Sequence, residues 1–264
     1  MNKLATNEQD KQLHQTSDES TARIDLAAVY RLINYYGWSD VTLTHASTRI
    51  PGSESDFLIN PFGFTFDEIK ASNLVKMNLD GQIVGTPNLP VNPTAFVIHG
   101  GILAARPDIN TVIHAHTPYA VAVSTLACGL LCLDEASMVF YNKIAYHDNH
   151  GLEINIAQQK RLAEDLGPEK LCMFMRNHGI VVCGRTVAEA FLNLYFLEFA
   201  CRTQILAMST GAKLIQPSED ILSSFAQQME KFKPMKKDGF KSAQIATFKA
   251  LMGMIERIDP SYQE

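Results

Sequence analysis

The run Thr111-Val112-Ile113-His114-Ala115-His116 reads as a β-strand that ends on two histidines one residue apart. β-Branched residues favour the pleated backbone, and side chains two apart on a strand share a face. His114 and His116 therefore project to the same side and can reach one ion. A third histidine follows about 60 residues downstream, in the turn Arg176-Asn177-His178-Gly179. If it joins the pair, the topology must carry that turn back to the end of the histidine strand, which restricts the possible folds severely. Three imidazoles leave a coordination position open, as catalytic metal sites do. Zinc suits such a donor set best, and Fe2+, Mn2+ or Co2+ can occupy it.

Bulk properties narrow the class. A net charge of −5 supplies no positive field to attract phosphates, which argues against a nucleic-acid partner. No apolar run approaches the roughly 20 residues that span a bilayer, so no membrane partner is expected. Residues 1–19 are polar and lack the apolar centre of a secretory signal. None of the five cysteines forms a C-x-x-C pair, which suits a reducing, cytoplasmic location, and Cys128 and Cys132 read as packed thiols.

Three units are expected along the chain. Residues 1–20 form a polar, mobile tail; residues 21–215 carry the metal-binding domain; residues 216–264 form a helical C-terminal appendage bearing Lys231, Lys233, Lys236, Lys237 and Lys241. In the central unit, Leu26, Val29, Tyr30 and Ile33 give one apolar helix face up to Gly37. Val41 to Ile50 alternates as a strand, with Phe57-Leu58-Ile59 as its partner. Thr65 to Glu68 matches a capping box opening a short helix, and Asp80-Gly81 marks a hairpin. Asn92-Pro93 opens a helix that ends before Pro107. Gly100-Gly101 inside that helix implies close packing against another backbone. Ile154 to Leu166 reads as helical. Short buried strands flank the His178 turn, and Thr186 to Glu189 caps a long helix whose aromatics Phe191, Tyr195, Phe196 and Phe199 read as core. Tight turns between some strands favour a mixed or antiparallel sheet covered by helices over a βαβ repeat.

Residues 23–215 resemble the class II aldolase/adducin family. His114-Ala115-His116-Thr117-Pro118 is similar to its H-x-H pair, Arg176-Asn177-His178-Gly179 to its third-ligand turn, and Ala105-Arg106-Pro107-Asp108 precedes the strand as it does there. The segment Ala145 to Gly151 looks especially like the adducin head and its bacterial relatives. The resemblance implies an α/β/α fold, three-layer and class II aldolase-like with a central mixed or antiparallel sheet. It also implies a homotetramer with sites between subunits. In the family's aldolases a divalent ion, usually zinc, polarises the substrate oxygens and a glutamate moves the proton. Here Ala95 stands at the glutamate's position and can move none. The aldolases' phosphate loops correspond to Thr44-His45-Ala46-Ser47, Phe62-Gly63 and Pro93-Thr94, where Phe62 and Pro93 bring no hydroxyl, so a phosphorylated sugar is disfavoured.

The chain is therefore read as a divalent-metal-dependent lyase performing retro-aldol cleavage, decarboxylation or dehydration on a small, non-phosphorylated carbon acid. His114, His116 and His178 are the expected metal ligands. His45, Glu135, His147 and Asp148 are candidates for the missing proton-moving group, with His150 in the same segment. Ser47, Asn60, Gly63 and Thr94 are candidates for substrate binding. His45 could equally be a packed strand residue, and His99 reads as packing. The alternatives are a non-catalytic, adducin-like assembly module and, further off, a non-haem iron oxygenase.

Overall fold

Period-two alternation builds the centre of the molecule. A computed structural model describes the chain from residue 6 to residue 232 and from residue 239 to residue 264. Its strands are β1 (His45–Arg49), β2 (Asp56–Ile59), β3 (Val75–Asn78), β4 (Thr111–Ala115), β5 (Ile144–His147), β6 (Cys172–Met175) and β7 (Gly179–Gly184). They form one sheet in the order β3-β2-β1-β4-β7-β6-β5. All neighbours run antiparallel except β5 and β6, so the sheet is mixed, as expected. In β4, Ile113 and Ala115 face one core and Val112 faces the other.

Helices cover both faces. The first core joins α1 (Thr6–Tyr35) to the apolar side of α7 (Val187–Ser209) through Leu26, Val29, Ile33, Phe191, Leu194 and Leu197. α4 (Pro118–Ser124) packs on α7 in the same layer. The second core holds Val97, Ile98, Ile102 and Leu103 from the helix that begins as α2 (Pro93–Ala95) and ends as α3 (Gly101–Ala105), together with Leu162 and Leu166 of α6 (Gln158–Leu166). Between α2 and α3 the backbone widens into a π-type turn over Phe96–Gly100. Such turns often mark functional positions in helices. The result is a three-layer α/β/α domain.

Several local expectations change in the structure. Residues 6–20, expected as a separate tail, continue α1, and Glu19 pairs with Arg23 (2.9 Å) and Lys76 (2.8 Å). The C-terminal segment does not stand apart either. α9 (Gly239–Ile258) packs on α7 and α1, burying Phe248 and Ile255, while Tyr262 is buried beyond it. Lys231 ends α8 (Glu219–Phe232) exposed, and Lys233, Lys236 and Lys237 lie outside the described residues. β1 starts only at His45 because Val41 takes a positive φ of 48°, which breaks the extended run. Thr65 to Glu68 closes a single turn and no helix: Glu68 binds back to Thr65 N–H at 2.9 Å, but the turn does not propagate. α6 begins at Gln158, after a turn at 156–157. Phe196 and Phe199, read as core, lie on the exposed side of α7.

Of the glycine pair, Gly101 behaves as expected, while Gly100 lies against the Phe96 ring and the Gln159 side chain. A Cβ on Gly101 would lie 2.7 Å from Gln159 Cβ and 2.9 Å from its Cα, so α3 and α6 touch backbone to backbone. Gly101→Ala is expected to lower the free energy of unfolding by about 1–3 kcal/mol through overpacking. Gly253→Ala, on α9 with only Arg257 Nη1 at 3.7 Å, should instead raise it by up to about 1 kcal/mol. Urea unfolding of both variants checks the pair.

Candidate metal centre

His114 occupies β4 and His116 the residue just beyond it, on the face opposite Ile113 and Ala115. His178 enters from the turn between β6 and β7, which the β4–β7 pairing brings alongside. A ligating atom from each of the three imidazoles lies within 4.8 Å of the others, and each pair of ring centroids is 4.8 Å apart. The site could hold a metal ion. His114 is buried, whereas His116 and His178 are partly exposed, so access is from their side.

The outer nitrogens of two rings are occupied. His114 Nδ1–H donates to the Ile180 carbonyl at 3.0 Å, and His116 Nδ1–H donates to Asp40 Oδ2 at 2.8 Å. Metal-binding histidines are commonly held this way. With Nδ1 carrying the donated hydrogen on both rings, an Nε2 that bears no second hydrogen presents a lone pair, and the two Nε2 atoms face each other at 3.0 Å. Two lone pairs in that arrangement repel unless a cation or proton stands between them, so the donor set fits a divalent ion. Burial and the imidazoles of His45, His116 and His178 hold His114 well below the ordinary histidine range. Burial, His116 and His147 push His178 down to about 4.

Distant residues hold this geometry. Glu198, buried on α7, accepts from Thr117 Oγ1 (2.6 Å), Tyr119 N (3.0 Å) and Ala120 N (2.9 Å), capping α4 just after His116. Asn177 takes a φ of 59° before His178. A Cβ on Gly179 would lie 2.6 Å from the Ala115 carbonyl oxygen, so only glycine lets the turn approach the strand this closely.

Beside the triad lies a second histidine array. The β1–β4 register sets His45 opposite His114, with ring centroids 5.0 Å apart. His45 Nδ1 is 2.7 Å from His99 Nε2, and His99 Nδ1 is 2.6 Å from Ser47 Oγ. His99, read from sequence as packing, is thus a buried polar link on the π-type turn. Burial, then His114, pushes it down to about 3; burial, then His99, His116 and His178, holds His45 well below its ordinary value. Nε2 of His45 is buried without a partner.

The remaining candidates are dispersed. His147 is buried at the end of β5, with Asp165 Oδ2 2.6 Å from Nδ1 and Glu153 Oε1 3.4 Å from Nε2. Glu153, not singled out from sequence, is 3% exposed, and its Oε2 lacks a partner. Asp148 is exposed, 3.6 Å from Arg176, and His150 is exposed. Glu135 is exposed on α5 (Glu135–Met138), which packs against α7 and α8. Asn60 is buried and accepts from the Tyr30 hydroxyl at 2.9 Å. Thr94 Oγ1 donates to Asn92 at 2.9 Å, while Gly63 sits at a turn with φ 91°. Ser47 alone of the four substrate-binding candidates lies against the histidines. Asp40 and Glu198 escaped sequence reading because no local pattern ties a turn aspartate, or a glutamate among helix aromatics, to the strand they serve.

Fold and histidine cluster together define an α/β/α domain with a metal-competent three-imidazole site. The chain belongs to the class II aldolase and adducin N-terminal domain family, which matches residues 24–205. A Caulobacter vibrioides protein provisionally assigned to aldolase class 2 is 46% identical over 193 residues, 73% of this chain and 75% of that protein. Rat alpha-adducin is 40% identical over 195 residues, 73% of this chain but only 26% of the adducin. The crystal structure of an aldolase II superfamily protein from Pseudomonas syringae superposes with a TM-score of 0.86 at 38% identity, covering 94% of this chain and 96% of that one.

Two outcomes are expected from this geometry. Asp40→Ala should weaken zinc binding about 10–100-fold with the fold intact, as loss of such an orienting carboxylate does, measured by competition with a chromogenic chelator. Below the ordinary value of 6.5, an unfolded chain takes up a proton that folded His99 refuses until the pH nears about 3. Stability is therefore greatest above that window and falls as pH drops through it. His99→Gln should flatten the loss of stability between pH 7.5 and pH 5; an unchanged slope would contradict the assignment.

Proposed function

We propose that the chain is a divalent-metal-dependent lyase acting on a small, non-phosphorylated oxygenated carbon acid. The observation that carries this reading is the 3.0 Å approach of His114 and His116 Nε2, with Asp40 and the Ile180 carbonyl on their outer nitrogens and His178 beside them in a three-imidazole cluster that could hold an ion. Zinc is the ion proposed. A bound divalent ion supplies Lewis-acid polarisation of substrate carbonyl and hydroxyl oxygens.

The surrounding residues shape the substrate class. Ala95 is buried on α2 and brings no proton-moving group. Phe62 and Pro93 bring no hydroxyl and Pro93 no N–H, so part of the donor set expected for a phosphate in sugar-phosphate aldolases is missing. Proton movement falls to the buried His147–Glu153 pair. It lies beside the strand end that leads into the His178 turn, where Arg176 N–H donates to the His147 carbonyl at 2.8 Å. The proposed assembly is a homotetramer with sites between subunits; exposed Leu152, Ile154 and Ile156 next to Glu153 support a contact there.

A second reading is a non-catalytic assembly module, favoured by the likeness to alpha-adducin and by Ala95. A panel of hydroxy- and keto-carboxylates incubated with the zinc-loaded chain separates the two. The lyase reading expects turnover of at least one panel member, reduced about a thousandfold or more in His116→Ala and strongly reduced in Glu153→Gln. No turnover across the panel, or an undiminished rate in His116→Ala, would favour the assembly module.

A further inference from the structure

We propose that His45 presents a fixed Nε2–H donor to an oxyanion, the carboxylate or enolate oxygen of a carbon acid held at the histidine triad, and that Ser47 and His99 position it. The inference rests on the metal-site reading above and assigns His45 a donor's role in place of the base or ligand that its position alone would allow.

The argument is a count of hydrogens along Ser47–His99–His45. The Ser47 hydroxyl lies 2.6 Å from His99 Nδ1 and has no other acceptor among the described contacts. If it donates there, His99 Nδ1 is bare and its proton sits on Nε2. That N–H then donates to His45 Nδ1 across 2.7 Å, so the remaining hydrogen of His45 is on Nε2. An added proton on either ring gives the same result. A charged His99 still donates to His45 Nδ1, and a charged His45 carries hydrogen on both nitrogens. Only the reversed neutral chain leaves Nε2 bare, and that chain strands the buried Ser47 O–H without an acceptor, which costs about 1–3 kcal/mol.

The relay therefore ends in an N–H. It cannot act as a proton wire either, because giving up the Nε2 proton through the chain would leave Ser47 as an alkoxide. Nε2 is one of only four buried side-chain nitrogen or oxygen atoms among the described residues that have no partner. Unsatisfied buried groups in folded proteins call for a physical explanation. The strand register supplies one here: His45 faces His114 directly across β1–β4, and His116 and His178 both bear electrostatically on its ring. A donor beside a metal is placed to meet charge that develops on a substrate oxygen.

Long-range proton–nitrogen correlation spectra of histidine-labelled protein, metal-free and zinc-loaded, test this directly. The expected spectra show His45 protonated at Nε2 and bare at Nδ1 in both forms. Ser47→Ala removes the hydroxyl that sets the direction of the relay, and the His45 nitrogen shifts should move toward values averaged over both tautomers. With glycolate as the probe, the His45 Nε2–H resonance of the zinc form should move downfield. His45→Leu should weaken glycolate binding about tenfold or more, as loss of a hydrogen bond to a charged group does, while His45→Gln retains most of it. A bare or zinc-bound Nε2, tautomers unmoved in Ser47→Ala, or glycolate affinity unchanged in His45→Leu would overturn the proposal. Zinc content measured on the same samples reads the metal site separately, since the metal-free spectra test the relay even if no zinc binds.

Discussion

β4 lies in antiparallel register between β1 and β7, and the site depends on that pairing. On one side it sets His45 opposite His114; on the other it sets Ile180 opposite Ala115, which places the Ile180 carbonyl within reach of His114 Nδ1. The same register ends β7 where the His178 turn must begin. Because side chains alternate with period two, a slip of one residue would turn both strand histidines into the opposite core. That core is packed by Ile113, Ala115 and the apolar faces of α1 and α7, which resist such a slip. Hydrophobic burial on one face thus secures the polar chemistry on the other.

The histidine strand and the His178 turn were legible in the sequence because their information is local: β-branched alternation, and a short polar turn ending in glycine. The mixed sheet covered by helices and the close glycine packing of α3 on α6 were legible for the same reason, while the α/β/α layering came from the family resemblance. What supports the histidines was not. Asp40 reaches His116 across 76 positions in sequence, and Glu198 reaches the cap of α4 from 78 positions away. His99 could not be told from a packed helix residue until the π-type turn set it against β1. Glu153 carries no local signal in the sequence, and only tertiary packing shows that it is buried. The limits of α1 and the integration of α9 into the core likewise depend on contacts with distant elements.

The resemblance sets Ala95 where the family's aldolases carry a glutamate, and the structure shows what surrounds that position. α2 keeps its place over the sheet and its apolar packing, but its inward position contributes only a methyl group. Polar groups gather instead on either side, with the Ser47–His99–His45 array on the β1 flank and the His147–Glu153 pair on the β5 flank. In the proposed reading, a site so arranged keeps the means to hold an oxyanion and separates them from the group that would move a proton. On that reading, the division would let a domain keep a three-histidine cluster without the glutamate that the resemblance assigns to the aldolases.

X-ray absorption at the zinc edge of the zinc-loaded chain tests the central claim, that three imidazoles from one strand and one turn converge on a single ion. The expected spectrum fits three imidazole nitrogens at about 2.0–2.1 Å with further oxygen scattering, and the imidazole scattering falls by one ring in His178→Ala. Sulfur scattering at about 2.3 Å, or a nitrogen shell unchanged in that variant, would place the ion elsewhere and contradict the account.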